Sequence, residues 1–491
     1  MRKRVPATPG FLDLFGIVLE RLCRWLWRRF KRRLPTWRAF FYWRLARRIP
    51  ERARRKHTYI SGSSGSGKTE LLKILVYGLI RKPRFCTTIV LDPNGDMASQ
   101  VARWNENSNG ERCVVIDLSL HAGFSPVINP LQVSDRSPEN IDLMAQLFVS
   151  AFNEIMDDSK LTLNMKVLLH PCVSVLMELG DASFPDLQCL LDEERNEDLL
   201  LRVQASQTYR EYRDFFEYEF HHSDYRPTKR AIAKKIQSLL NYQAFHNLTV
   251  GKSTVDLRAL MDSRKLVIFN LSKGKLGVEA MPAFGKFLVA MLQGLALRRE
   301  SMPEFARVPT HLIIDECHNF ITPAIEEILK ESRKYAMHLT LAQQTIGDKM
   351  SSELLNTVMT NTEVKITGFN DKKCLDTMAA KTYTDPTLLY RLSTGRFAVK
   401  VGKGVYPPTF ILHCPRFLLG GANAMQAAAW HDLTEQQLAA YYTPVKSWGA
   451  RPPVTALTGT APEELAENNP PPRLFFQRKR PRLPKEPKYQ F

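Results

Sequence analysis

The sequence has little that would put it in a membrane, a zinc scaffold or a disulfide framework. No run of about 18 to 20 apolar residues is evident, so no transmembrane helix is expected. The nearest candidate, Phe11 to Leu19, contains Asp13 and runs into Glu20 and Arg21. It also makes a poor signal peptide, because no small-residue cleavage site follows its short apolar run, and it reads better as an amphipathic helix. Cysteine is scarce: 8 in 491 residues, without a C-x-x-C pair or regular spacing, which excludes a zinc knuckle and a cystine scaffold and points to a reducing, cytoplasmic setting. Acidic residues are scarce at the two ends. Residues 1–56 hold 18 Lys and Arg against Asp13, Glu20 and Glu51, and residues 473–491 hold 7 against 1, so the net charge of +19 leaves only −2 for the body between them. Basic arms on a nearly neutral body indicate a polyanionic partner, either nucleic acid or an anionic membrane surface.

Hydrophobic content of 44% is ample for a large interior, and the length implies one large domain with an insertion, or two domains with tails. The arm at 1–56 mixes arginine with aromatics, including Trp25, Trp27, Trp37 and Trp43, four of the seven tryptophans. That pairing suits a lipid headgroup layer, stacking on single-stranded bases, or docking on the body or a neighbouring subunit. From His57 short apolar runs alternate with helical periods, which predicts an α/β fold with a mostly parallel sheet. Strands are expected at Thr58 to Ser61, Thr87 to Leu91, Cys113 to Leu118, Leu266 to Asn270, His311 to Ile314, His338 to Leu341 and Glu363 to Thr367, with a closing pair near Phe397 to Val401 and Phe410 to His413. Helices are expected at Glu70 to Ile80 and Ala324 to Tyr335. Between 137 and 252 only helical patterns appear, at Pro138 to Asn153, Leu161 to Leu179, Pro185 to Glu194 behind a Ser183 cap, and Thr228 to Tyr242. The expected organisation is therefore a basic arm (1–56), a nucleotide-binding domain in two parts (57–136 and 253–415), an inserted all-α domain (137–252), and a C-terminal extension (416–491). Beyond Cys414 periodicity fades, and Pro470 to Phe491 should be disordered until it meets a partner.

Gly62-Ser63-Ser64-Gly65-Ser66-Gly67-Lys68-Thr69 satisfies G-x-x-x-x-G-K-[ST] between an expected strand and an expected helix. Its glycines let backbone N–H groups wrap the phosphates of ATP, Lys68 would reach the β and γ phosphates, and Thr69 would ligate Mg2+. Leu312-Ile313-Ile314-Asp315-Glu316 ends an apolar strand in two carboxylates, where open α/β sheets bind ligands. Asp315 fits a magnesium ligand and Glu316 the base that polarises the attacking water. Arg333 is either an arginine finger for the ATP of an adjacent subunit or a surface arginine paired with Glu327 or Glu331. Gln344 either orients water and senses the γ phosphate or is a polar loop residue. Asp92 and Asp96 read as a structural turn beside the site, and His221 and His222 as ordinary loop residues.

The series of P-loop, Val90-Leu91-Asp92-Pro93-Asn94-Gly95-Asp96, Ile128-Asn129-Pro130-Leu131, Ile313-Ile314-Asp315-Glu316, Glu331-Ser332-Arg333-Lys334-Tyr335 and Leu341-Ala342-Gln343-Gln344 resembles the HerA and FtsK class of DNA-pumping ATPases. Within that class it is most similar to the coupling ATPases of type IV conjugative secretion systems, over about residues 57–415. The resemblance implies a homohexameric ring around single- or double-stranded DNA, ATP held between subunits, Arg333 acting in trans, Gln344 as sensor, and an inserted helical domain that meets DNA or the relaxase complex. Two departures stand out: Asn94 replaces the His or Lys of many relatives, and an Arg/Trp-rich arm stands where membrane-bound coupling proteins carry transmembrane helices. The expected activity is ATP-driven DNA translocation, cytoplasmic or peripheral at the inner face of a membrane beside secretion-channel proteins. Genome packaging for a virus or mobile element, and a membrane-peripheral assembly ATPase that does not act on DNA, are the alternatives.

Overall fold

β-branched and aliphatic residues in short runs favour extended backbone, and nine such runs hydrogen-bond into one sheet. The computed structural model describes residues 44–80, 86–156, 163–331, 333–414 and 424–445. The chain divides into units Met1–Lys446 and Ser447–Phe491, and every described residue lies in the first. Most of the basic arm, including Phe11 to Leu19, and the tail from Pro470 lie outside the described residues.

The main-sheet strands are β1 (Thr58–Ser61), β2 (Thr87–Asp92), β3 (Cys113–Asp117), β5 (Leu266–Asn270), β6 (Thr310–Ile314), β7 (Met337–Gln343), β8 (Val364–Thr367), β9 (Arg396–Val401) and β10 (Phe410–His413). Two short strands, β4 (Phe124–Ser125) and β11 (Thr443–Pro444), pair separately. The order is β10-β9-β8-β1-β7-β6-β2-β5-β3. From β8 to β3 all neighbours are parallel; β9 is antiparallel to both β8 and β10. The expected α/β class and the closing antiparallel pair are both found.

A parallel sheet must be covered on both faces, and alternate residues of each strand enter different cores. In β2, Ile89 and Leu91 join one cluster and Val90 the other. The smaller core is built on α1 (Lys68–Ile80) and α2 (Asp96–Ala102). The larger lies under α3 (Pro138–Asn153), α4 (Leu163–Leu179), α5 (Phe184–Leu191), α6 (Arg226–Leu240), α7 (Ala280–Leu297) and α8 (Pro323–Glu331), with α9 (Ser352–Asn361) and α10 (Lys372–Thr382) towards the β8 side. The helical stretch after Ser137 shares this core with the sheet: the Phe148 ring lies 4.9 Å from that of Phe287 on α7 and 5.9 Å from that of Phe184.

Several helices, among them α2, α9 and α10, are absent from the expected set, and two of them bear on how the sheet is covered. Ala280 to Ser301 is long and apolar enough to cross a membrane by length and composition, a run not evident in the sequence, and 72% of its most apolar window is buried inside the protein, as in a core helix. It is all-round apolar because the sheet lies on one side and α3 and α8 on others, so its pattern lacks the one-sided stripe of a surface helix. The second, α11 (Ala427–Tyr441), falls where periodicity fades. Polar side chains recruit it to the sheet edge: Gln437 accepts from Val115 N at 3.0 Å and donates to Cys113 O, and the Tyr442 hydroxyl just beyond donates to Val115 O. Side-chain amide and phenol groups thereby occupy the open edge of β3. The last residues of the basic arm also join the body, since Ala46, Ile49 and Arg54 are buried and Arg54 donates to Leu75 O.

Candidate nucleotide site

Strands β1, β7 and β6 are neighbours, and their C-terminal ends open on the same edge of the sheet. Residues just past those ends therefore converge, although Lys68 and Glu316 are 248 positions apart in sequence. The loop after β1 is held at both ends. Gly62 N donates to Gln343 O and Ser63 N to Phe369 O, while Gly395 N donates to Ser66 O at 2.8 Å. Gly67 has φ of +95°, a region that side-chain-bearing residues rarely adopt. A Cβ at Gly62 would meet Ser66 Oγ at 2.7 Å, so glycine there lets the loop fold back on itself. α1 starts at Lys68, with its first free N–H groups facing the loop.

The cleft measures about 620 Å³ and is lined by Ser63, Ser64, Gly65, Gly67, Lys68, Thr69, Glu70, Asn94, Glu316 and Gln344. Lys68 Nζ donates to Glu316 Oε1 at 2.7 Å, and Gln344 Nε2 donates to the same oxygen at 3.0 Å. Both ends of the Lys68–Glu316 pair are nearly buried, at 6% and 9% side-chain exposure, so removing either partner would strand a buried charge and cost far more than breaking a surface ion pair. Glu316 sits in the left-handed region at φ 43°, a conformation costing on the order of 1–2 kcal/mol for a residue with a Cβ. Asn319 Nδ2 bonds the Glu316 carbonyl and stabilises the turn. Beneath it, Gln343 donates to the Tyr59 hydroxyl and accepts from Cys317 Sγ, tying the ends of the three strands together.

Asp315 is 2% exposed, and burial pushes its carboxyl up to about 7; Lys68 opposes that shift, while Glu316 and Asp92 add to it. An acid so destabilised in its charged form suits a cation beside it. The Ser66 hydroxyl and Glu316 Oε2 are buried without a hydrogen-bond partner, His318 Nδ1 lying 3.5 Å from the latter. Hydroxyl and carboxylate oxygens at Thr69 and Asp315, a lysine, and unpartnered polar atoms around a glycine-lined loop fit Mg2+ with a nucleoside triphosphate. Magnesium uses few protein ligands and keeps phosphate oxygens and water for the rest.

The structure thus gathers Gly62 to Thr69, Glu316 and Gln344 around one cleft, with Asp315 beside it. It does not bring Arg333 there. Because β6 and β7 are parallel, α8 runs back across the sheet and delivers Arg333 to the opposite edge, ahead of β7. Its guanidinium donates to Lys56 O at 3.2 Å and to Asn361 O, not to Glu327 or Glu331. Asp92 forms the turn expected of it, accepting from Asn94 N and Ala98 N. Asn94 and Glu70 as cleft residues, and Tyr59 and Cys317 as supports, were not expected from the sequence. Glu70 follows Thr69 directly and was legible from adjacency; the others become visible only once strand order is known.

Residues 50–288 match the family described as Helicase HerA, central domain. Among solved structures, the bacterial conjugative coupling protein TrwB in its unbound form is 15% identical with a TM-score of 0.54, covering 77% of this chain and 88% of TrwB. TrwB with the ATP analogue ADPNP gives 15% and 0.55, covering 77% and 89%. VirB4 of Thermoanaerobacter pseudethanolicus gives 16% and 0.50, covering 74% and 89%. At such identities the likeness is one of fold. No curated protein matches the sequence.

Proposed function

We propose, from the premise that the chain is a P-loop ATPase of the HerA type, that it is a DNA translocase of the conjugative coupling kind, hydrolysing ATP at the interfaces of a homohexamer. The observation that carries the reading is the meeting of Lys68 and Gln344 on one oxygen of Glu316 at the mouth of the glycine-lined loop. The coupling-protein fold and the basic termini support DNA as the polymer moved.

Thr69 and Asp315 would hold Mg2+, which would supply Lewis-acid neutralisation of phosphate charge. N–H groups of the Gly62 to Thr69 loop cradle the phosphates, and Lys68 exchanges its bond to Glu316 for one to phosphate. Glu316, released from the lysine, accepts a proton from the attacking water through a carboxylate oxygen. Gln344 stays beside it and aligns that water. Arg333 supplies positive charge to the neighbouring subunit's γ phosphate, leaving its carbonyl partners to do so. The protein acts in the cytoplasm, at the inner face of the membrane when engaged with secretion-channel or relaxase proteins.

ATP turnover measured with single-stranded DNA, duplex DNA and anionic vesicles, alongside a mass measurement with ATP, tests this. Stimulation by DNA and a six-subunit mass are expected; stimulation by vesicles alone would overturn the DNA reading in favour of a peripheral assembly ATPase.

A further inference from the structure

We infer that the β9–β10 hairpin at residues 402–409, together with the neighbouring end of α10, is a contact surface for single-stranded nucleic acid. The inference rests on the DNA-motor reading and names where the strand is held. The hairpin lies at the sheet edge opposite the nucleotide cleft, because β9 runs antiparallel to β8 and Val401 pairs with Val364 at that strand's start. Its sequence from Gly402 to Thr409 contains Lys403 and no acid. Lys400 holds the tip in shape, donating to Val405 O at 2.8 Å and Pro407 O at 2.6 Å. α10 is tied alongside by a 2.5 Å hydrogen bond between the Thr384 and Thr409 hydroxyls.

Positive charge is crowded here. Lys365 is 4% exposed, and burial, then Lys403, Lys400 and Lys381, push its ammonium down to about 8 against the opposing pull of Glu363. That one carboxylate is shared, since Lys56 Nζ lies 3.6 Å from it and Arg333 also feels it. Lys56 is the last residue of the +15 arm, so the arm joins the body at this same edge. A polyanion relieves such like-charge crowding and releases counterions as it does so.

Aromatic rings stand beside the charges. Tyr406 is 81% exposed and Tyr383 64%, the latter held in the left-handed region at φ 52° as the cap of α10. Outward tyrosines among lysines match the combination that binds unpaired strands, whose bases offer free faces for stacking while phosphates meet ammonium groups; paired bases are already stacked within a duplex.

The test uses the full chain with a fluorescent oligonucleotide, single-stranded or duplex, over a salt series. The double variant Lys381→Ala/Lys403→Ala should lower the slope of log affinity on log salt by about 1.4 for single strands, at roughly 0.7 per lost phosphate contact. Tyr406→Ala should weaken single-strand binding by about tenfold at unchanged slope and leave duplex affinity alone, since stacking contributes on the order of 1–3 kcal/mol per base. Both variants should keep DNA-independent ATP hydrolysis and the wild-type melting temperature. If the wild type binds and both variants match it in affinity and slope, this surface is refuted while the motor reading stands. Equal weakening for duplex in Tyr406→Ala overturns the single-strand assignment. A wild type that binds neither form overturns both readings.

Discussion

Replacing Glu316 with Gln separates the contact this carboxylate makes with Lys68 from the base role proposed for it. In the structure the Lys68–Glu316 bond is 2.7 Å long and nearly buried, so a phosphate that recruits Lys68 must first displace a charged partner. A charge-assisted hydrogen bond of this kind is worth about 1.5–3 kcal/mol net. The neutral amide of the Glu316→Gln variant would still accept from Lys68 but without the ionic share, and most of that free energy then appears as nucleotide affinity. At 1.4 kcal/mol per tenfold, the dissociation constant for a nonhydrolysable analogue with Mg2+ should fall by about 10- to 100-fold. Turnover should fall by about 10²- to 10⁴-fold, the usual contribution of a positioned base. The free variant should be less stable, because a buried lysine has lost its anion, and nucleotide should raise its melting temperature more than it raises that of wild type. Fluorescent-nucleotide titration and phosphate-release kinetics read the two effects separately. Unchanged or weaker nucleotide binding in Glu316→Gln would refute the competition between carboxylate and phosphate for Lys68, and turnover above a tenth of wild type would remove Glu316 from the base role.

Two further perturbations address the opposite edge of the sheet. Arg333→Ala should lower turnover in the assembled protein by about 10³-fold or more while leaving nucleotide affinity within a few-fold, as loss of a trans-acting arginine does; a lowered melting temperature with normal turnover per folded molecule would make it a structural tie for Lys56 and Asn361 only. His311 is fully buried beside Glu51, and burial holds its imidazole down at about 4 against the ordinary 6.5, with Glu51 opposing and Arg54 assisting. Protons therefore bind the unfolded chain more readily: this contribution to stability is complete above pH 6.5 and is lost as pH falls towards 4. His311→Gln should flatten the fall in urea-unfolding stability over pH 6 to 4.5 by about 1.4 kcal/mol per pH unit relative to wild type, and parallel curves would refute the assignment.

The sheet was legible because each of its main strands is a short aliphatic run bounded by polar or turn residues, and all nine fall within a few residues of the expected positions. The P-loop and the Asp315–Glu316 end were legible for a different reason: their chemistry demands particular residue types at fixed spacing. What escaped depends on neighbours rather than on local pattern. α7 is apolar all round because protein surrounds it, so it shows no stripe; α11 buries only Leu433 and Leu438 among polar neighbours and meets strand β3 through hydrogen bonds from Gln437, with Tyr442 beyond it. Arg333 follows the same rule. Its distance along the chain from Glu316 is small, yet a helix that recrosses the sheet places it on the far edge, which chain distance alone cannot convey.

Strand β9 relates the two ends of the molecule's chemistry. Just before it, Gly395 N bonds the Ser66 carbonyl inside the P-loop and Gly395 O accepts from Cys414 N, and at its far end Val401 leads into the lysine- and tyrosine-bearing hairpin. Six residues of extended chain span about 20 Å, and a hydrogen-bonded strand paired on both sides transmits displacement along its axis better than a loop of the same length. Movement of the loop as phosphate arrives or leaves thus has a stiff, continuous path to the polyanion-facing edge. The path runs outside Asp315 and Glu316, so a weakened hairpin contact should abolish stimulation by DNA while leaving basal hydrolysis intact. A loss of basal turnover in the hairpin variants would place the coupling elsewhere in the fold.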